Sequence, residues 1–166
     1  MNSHLDSETK VLESPQDHKD ELRLWLRLLT CTNLIEAAIR KKLGEEFDTT
    51  LPRFDLLAQL ERAPDGMTLG DLSRRMMVTN GNVTGLVERL VQSGHIKRSA
   101  LPTDRRVQIV KLTAKGHTYF SRMASAHENW IAELFAQLNT KDVGELIRSL
   151  GKLKESVRGA NGTETL

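Results

Sequence analysis

One stretch of this chain, Ser99 to Gly116 (SALPTDRRVQIVKLTAKG), sets the tightest limit on its fold. Val107, Ile109 and Leu112, with Val110, suit a short β-segment, while the segments on either side are spaced for helices. His95 to Ala100 and Val107 to Leu112 flank Leu101 to Arg106, so the chain is expected to turn there and pair back on itself as one small hairpin. Asp104, Arg105 and Arg106 fall at its tip. The expected class is mainly α with a small β-hairpin.

Helical spacing organises the rest. Residues 1–16 read as a disordered tail and 159–166 as a frayed one, both polar and weakly patterned. From Asp17 no proline or glycine intervenes until Gly44, which is expected to end a long first helix. Its apolar residues form two stripes, Leu22, Trp25 and Leu29 with Ala38 and Ile39, and Leu24, Leu28 and Cys31 with Ile35. A helix apolar on two faces needs two partners. Leu51 to Arg62 reads as a second helix, with Pro52 in its first turn and Phe54, Leu56, Leu57 and Leu60 turned inward. The break APDG, Ala63 to Gly66, has turn chemistry.

Thr68 with Asp71 makes a helix-start pair, with Leu69, Leu72 and Met76 facing inside. Thr79 then caps another helix, whose apolar face is Val83, Leu86, Val87, Leu90 and Val91 and whose end is Gly94. Two short helices joined by a tight turn make a helix-turn-helix, and a hairpin directly after it is a wing. An ordinary amphipathic pair of helices fits the two segments equally well until the hairpin is added. Thr113 begins a long helix carrying Tyr119, Phe120, Met123, Trp130, Ile131, Leu134, Phe135 and Leu138. Asn139 or Thr140 caps a last helix with Val143, Leu146, Ile147, Leu150, Leu153 and Val157 close to an a/d seam, which wants a partner helix. The expected organisation is a winged helix-turn-helix over residues 51–116, flanked by dimerisation helices over 17–50 and 117–158.

Net charge is only +2, but it is unevenly placed. Between Thr68 and Lys115 nine basic residues stand against three acidic ones, so that segment carries +6 and the remainder −4. This asymmetry suits a polyanion-binding module on a neutral scaffold, although a solvated face can carry the same charges. If the face of the second short helix enters a major groove, Gly81 and Gly85 let the backbone approach closely, while Asn80, Asn82 and Thr84 supply neutral donors and acceptors. Gly85 costs about 1 kcal/mol against alanine inside a helix, so it needs a reason. An arginine at the wing tip can reach the electronegative minor groove, with Asp104 expected to orient one of the pair by a charge-assisted bond.

Leu72 to Met76, NVTGLVERLVQSGHIKR from Asn82 to Arg98, and DRRVQIVKLTAKG from Asp104 to Gly116 resemble the winged helix of MarR-family transcription regulators, and the order of helices extends the resemblance over nearly the whole chain. The family's wing signature, Asp-x-Arg followed by a strand ending in Leu-Thr and a helix opening on Gly, falls on Asp104, Arg106, Leu112, Thr113 and Gly116. The resemblance implies that Arg106 is the minor-groove arginine and that residues near Asn80 to Arg89 read the major groove. Ser73, Arg74, Arg75, Thr79, Asn80, Gly81, Asn82, Thr84, Gly85, Arg89, Arg98, Asp104, Arg105 and Arg106 form the expected contact set for a double-stranded DNA operator. Many members carry a basic residue where this chain has Gly85, so operator preference does not transfer.

In such relatives the first, fifth and sixth helices interlock across a two-fold axis. That implies a homodimer using Leu22, Trp25, Leu29, Leu134, Leu138, Leu146, Ile147, Leu150 and Leu153 here, with recognition helices about 34–36 Å apart on a near-palindrome. Family members often sense an aromatic acid in a cleft beside the dimer helices. Trp25, Phe47, Phe54, Phe120, Met123, His127 and Trp130 could reach one, with Arg40 and Arg53 to receive a carboxylate or phosphate, though aromatic stripes more often form core. TNGNVTG together with ASAHENWIAELF is similar to regulators of aromatic-acid and hydroxycinnamate degradation, some of which respond to acyl-CoA thioesters. A repressor released by such an effector is the leading reading.

Two rivals stand beside it, a thiol redox switch at Cys31 and a nonspecific chromosome-binding protein. Cys31, the single cysteine, has apolar neighbours at helical spacing and is expected to be buried and structural. No nucleophile elbow, phosphate loop or metal spacing among His4, His18, His95, His117 and His127 points to an enzyme, a cofactor or a metal. No secretory pattern and no apolar run of about 20 residues is present, so a cytoplasmic protein without membrane contact is expected.

Overall fold

A computed structural model describes residues 19–101 and 103–160, with Arg105 by its backbone only. The tail expected over residues 1–16, and residues 161–166 of the C-terminal tail, lie outside the described residues. In chain order the elements are α1 (Lys19–Phe47), α2 (Leu51–Glu61), β1 (Met67–Thr68), α3 (Leu69–Met76), α4 (Asn80–Gln92), β2 (Ile96–Leu101), β3 (Asp104–Leu112), α5 (Ala114–Leu134) and α6 (Thr140–Ala160). The chain divides after His127, inside α5, into two compact units. None of the described helices is long and apolar enough to cross a membrane.

In the first unit α2, α3 and α4 pack on one another and against a three-stranded antiparallel sheet of order β1-β3-β2. Leu56, Leu57, Leu60, Leu72, Val83, Val87, Ile96 and Val110 fill the core between them, with Leu43 of α1 and Met123 of α5 also fully buried. Apolar residues three and four apart on the helices meet alternate residues of the strands, and removing this surface from water drives the assembly. In the second unit, Asn139 Oδ1 accepts from the Asp142 amide (2.9 Å) and Asp142 Oδ2 accepts from the Asn139 amide (3.1 Å). This reciprocal cap starts α6.

Three boundaries differ from expectation. Gly44 does not end α1, which runs on to Phe47. Asp48 takes φ 49° there, and the Thr49 amide reaches back to the Leu43 carbonyl at 3.2 Å, so the left-handed turn that stops the helix falls four residues later on a non-glycine. β3 begins at Asp104, not Val107, and Leu101 pairs with Asp104 across a two-residue connection. An irregularity beyond Ala100, which pairs with Gln108, absorbs the extra residues of β3. The third is β1: Met67 and Thr68 pair with Val110 and Ile109, a stitch too short for any alternation to announce. In addition, α5 stops at Leu134, leaving Phe135 and Leu138 in the turn before α6.

A compact junction holds the wing to the helices around it. The Thr113 amide donates to the His95 carbonyl (3.0 Å), and the Thr113 hydroxyl lies on the Gly94 carbonyl (2.7 Å) while accepting from the Gly116 amide (3.0 Å). Gly94 turns the chain with φ 76°. Gly116 is buried, and a Cβ there would sit 1.9 Å from the His95 carbonyl oxygen. Gly116→Ala is therefore expected to lower stability by about 1–3 kcal/mol through forced overpacking, seen as a lower urea midpoint with an unchanged slope.

Candidate nucleic-acid interface

The helix-turn-helix starts from a hydroxyl. Thr68 Oγ1 accepts from the Asp71 amide (3.1 Å) and donates to Asp71 Oδ2 (2.8 Å), and Arg74 Nη2 donates to the other oxygen of that carboxylate. The Thr68 hydroxyl first, then Arg74, holds the Asp71 carboxyl below its ordinary value of 3.8. Met77 closes α3 in the left-handed conformation, φ 54°, with its side chain 89% exposed. The Val78 amide donates to the Ser73 carbonyl and the Ser73 hydroxyl to the Val78 carbonyl, stitching the turn on itself. Thr79 then caps α4 by accepting from the Asn82 amide.

Ser73 was expected among the DNA contacts, but the structure buries it in the turn and engages its hydroxyl. Both its hydroxyl and its carbonyl are bonded to Val78 across the turn between α3 and α4. Thr84 is half-buried and donates to the Asn80 carbonyl (2.9 Å), so its proton belongs to its own helix. Asn80, Gly81, Asn82 and Arg89 are exposed on α4, with Gly85 half-buried. Gly81 and Gly85 lie one helical turn apart, neither has positive φ, and nothing stands within 4 Å of where a Cβ would be at either. The fold itself gives no reason for glycine at these positions.

On the wing, Asp104 Oδ1 accepts from the Arg106 backbone amide at 2.9 Å. The Arg106 guanidinium is exposed, and the alternative expected partner, the Arg105 side chain, lies outside the described residues. Arg75, Arg89, Arg98 and Arg106 are all exposed, and among the described residues none has an ion-pair partner. Elsewhere several basic residues are neutralised within their own helix, Arg23 by Asp20, Lys41 by Glu45, Lys141 by Glu145 and Arg158 by Glu155. Arg75, Arg89, Arg98 and Arg106 all lie on the helix-turn-helix and its hairpin.

Of the nine residues expected to line an effector cleft, three are buried, four half-buried and two exposed. Phe54, Met123 and Trp130 are buried, and the Phe54 ring packs on Phe120 (centroids 5.6 Å) and on His127 (5.0 Å). Phe47 meets Tyr119 edge-on, Arg53 is half-buried, and Arg40 pairs with Glu36. Trp25 is 56% exposed. Close packing of rings against one another, not against an open space, is what the α2 and α5 stripes achieve. Cys31 is also corrected: it is exposed, as is Leu24 on the same α1 stripe, while Leu28 and Ile35 are half-buried.

This is the architecture of a duplex-reading winged helix-turn-helix. The MarR family model matches residues 49–107, the span from the start of α2 into β3. A MarR family transcriptional regulator from Silicibacter pomeroyi, known by its crystal structure, is 34% identical and superposes with a TM-score of 0.74, covering 87% of this chain and 99% of its own. A MarR variant from E. coli in complex with operator DNA is 26% identical at a TM-score of 0.69, covering 83% and 99%. The transcriptional activatory protein BadR of Rhodopseudomonas palustris is 28% identical over 88% of this chain and 86% of its own. The chain belongs to the MarR family of transcription regulators.

The cap at the start of α3 makes a pH-dependent contribution. Because the Asp71 pKa is lowered on folding, its stabilisation is complete above about 3.8 and is lost as pH falls through the lower folded value. Thr68→Ala should lower stability by about 1 kcal/mol at pH 7, and the gap from wild type should narrow in acid when urea midpoints are compared across pH.

Proposed function

We propose that this regulator is a homodimer that reads a near-palindromic duplex operator, with α4 in the major groove and the hairpin tip over the minor groove. The observation that carries the reading is the set of exposed, unpaired guanidinium groups of Arg75, Arg89, Arg98 and Arg106 on one small lobe. A cation that gives up a partner within its own chain is available to a phosphate or a base edge without first breaking an ion pair. Asn80 and Asn82 offer amide donors and acceptors to base edges, and the bare Gly81 and Gly85 let the α4 backbone come close. Arg74 is shared with Asp71, so it acts as a phosphate contact of lower strength. Arg105, Arg98 and Asp104 complete the wing, Asp104 by fixing the backbone of Arg106.

The dimer reading rests on apolar surface that the chain leaves in water. α6 has no buried residue along its length, and Leu146, Ile147, Leu150 and Val157 are each 43–66% exposed. Leu22, Leu24, Trp25, Leu29 and Leu34 are exposed on α1, as are Leu134 and Leu138 in the second unit, and Leu153 is half-buried. So much uncovered leucine on helices suits a symmetric partner. Release of a repressor from its operator by an aromatic acid or its CoA thioester remains the proposed mode of control, supported by the resemblance to aromatic-acid regulators; the similarity to a protein named as an activator leaves DNA occupancy as the shared step.

Arg106→Ala should weaken operator binding by about 1–3 kcal/mol, with a shallower salt dependence and an unchanged fold, when anisotropy titrations use the chain's own upstream DNA against a random duplex. Unchanged affinity would remove the wing from the mechanism, and binding that never discriminates the two duplexes would return the nonspecific reading. Leu146→Glu or Leu150→Glu should give a folded monomer that binds the operator poorly. A dimer surviving in sedimentation would place the interface elsewhere.

A further inference from the structure

Among the described residues, the large apolar side chains left in water lie on α1 and from the end of α5 through α6, with two exceptions: Val91 in the last turn of α4, and Met77. Met77 is the most exposed of them all, at 89% against 66% for the next. Its surroundings are polar and basic: Arg74, Arg75, Thr79 and Asn80 on either side of it in the chain are all exposed. Its backbone is also unusual. Only Asp48 and Met77 hold positive φ among the described non-glycine residues, and aspartate tolerates that region where a long side chain rarely enters it. Glycine or asparagine would meet the demand of this turn at least as well. The turn is tied on both sides, by the Met77 amide to the Arg74 carbonyl (3.2 Å) and by the paired bonds between Ser73 and Val78, so the root of the side chain is fixed while its thioether end is free. Nothing in the packing of the chain accounts for a methionine here.

We propose that Met77 is a specificity-determining residue: its side chain enters the major groove beside α4 and covers the 5-methyl group of a thymine in each operator half-site. A lone apolar side chain among cations and amides is too small a patch to seat a protein, whereas a duplex offers phosphates to the arginines and an isolated methyl group to the methionine. Between Arg74 and Gly85 it is the one large side chain both apolar and exposed, since Val83 is buried and Met76 and Val78 are half-buried. Asn80 and Asn82 can read donors and acceptors, Gly81 and Gly85 carry no side chain, and the Thr84 proton is taken by its own helix. Recognition of a methyl group therefore falls to Met77, whose unbranched thioether chain adapts its shape to what it touches. Spacing alone did not reveal the residue, because a methionine beside Met76 reads as more of the inward face of α3. The proposal rests on the reading of α4 as the DNA-recognition helix.

The full chain is titrated by anisotropy with three duplexes: its own upstream DNA, the same duplex with deoxyuridine in place of every thymidine, which removes only the methyl groups, and a random duplex. The wild type should bind the uracil duplex about fourfold or more weakly than the thymine duplex, the worth of a methyl-sized apolar contact. Met77→Gly relieves the left-handed turn and Met77→Gln keeps the length of the side chain, so between them a folding defect, checked by circular dichroism, is separated from a lost contact. Both should bind the thymine duplex more weakly by the same factor and lose nothing further on the uracil duplex. Their affinity for the random duplex and the slope of binding against salt should not change, because no charge is removed. Arg106→Ala should keep the full response to uracil. A wild type indifferent to the methyl groups, variants with wild-type affinity, or variants as sensitive to uracil as the wild type overturn the role of Met77, while selective binding leaves α4 as the recognition helix. A wild type that never prefers its upstream DNA to the random duplex overturns the DNA-recognition reading itself, and the role of Met77 with it.

Discussion

The contact on which the DNA-reading lobe depends is the set of hydrogen bonds that Thr113 makes with the carbonyls of Gly94 and His95. It closes the hairpin at its base, where Ile96 pairs with Leu112, and places the start of α5 against the end of α4. Gly116 is required because that approach leaves no room for a side chain. The recognition helix and the wing are therefore not independent arms. An arginine at the tip of a two-stranded ribbon can be aimed only if the ribbon's root is fixed, and one threonine and one glycine fix it.

Charge is distributed by the same logic of local satisfaction. α1 and α6 neutralise some of their cations one helical turn away. In the helix-turn-helix and hairpin Arg74 is shared with Asp71, while Arg75, Arg89, Arg98 and Arg106 have no ion-pair partner among the described residues. Arg75, Arg89, Arg98 and Arg106 are separated along the chain, yet all four stay exposed on the helix-turn-helix and hairpin of a protein whose net charge is only +2.

Local chemistry was legible in the sequence, and contacts across the chain were not. Thr68, Thr79 and Asn139 were readable as caps because a hydroxyl or amide oxygen three residues before a free amide carries its own explanation. The inward residues of α2 and α4 followed from spacing alone, except Val91, which is 37% exposed at the last turn. β1 escaped notice because two residues have no period. Gly44 misled because helix propensity yields to a continuing apolar stripe, and Leu43 beside it is fully buried. Ser73 and Cys31 differ from expectation for opposite reasons: a short polar residue can be consumed by a turn, and one position on an apolar stripe can stay exposed while Leu28 and Ile35 on the same stripe are half-buried. The aromatic residues of α2 and α5 read more readily as core than as a ligand cleft, and the Phe54 ring does pack on Phe120 and His127.

The order β1-β3-β2 has a consequence for how the protein avoids its own kind. β3 is central only where Met67 and Thr68 cover it, and β2 presents its outer edge along the whole hairpin. An open edge of paired strands is a template on which another chain can add. Lys97 and Arg98 stand exposed on β2, so a second hairpin approaching edge to edge brings like charges together before any ladder can form. The basic residues that suit the wing to a polyanion thus also guard a small sheet against growing into a larger one.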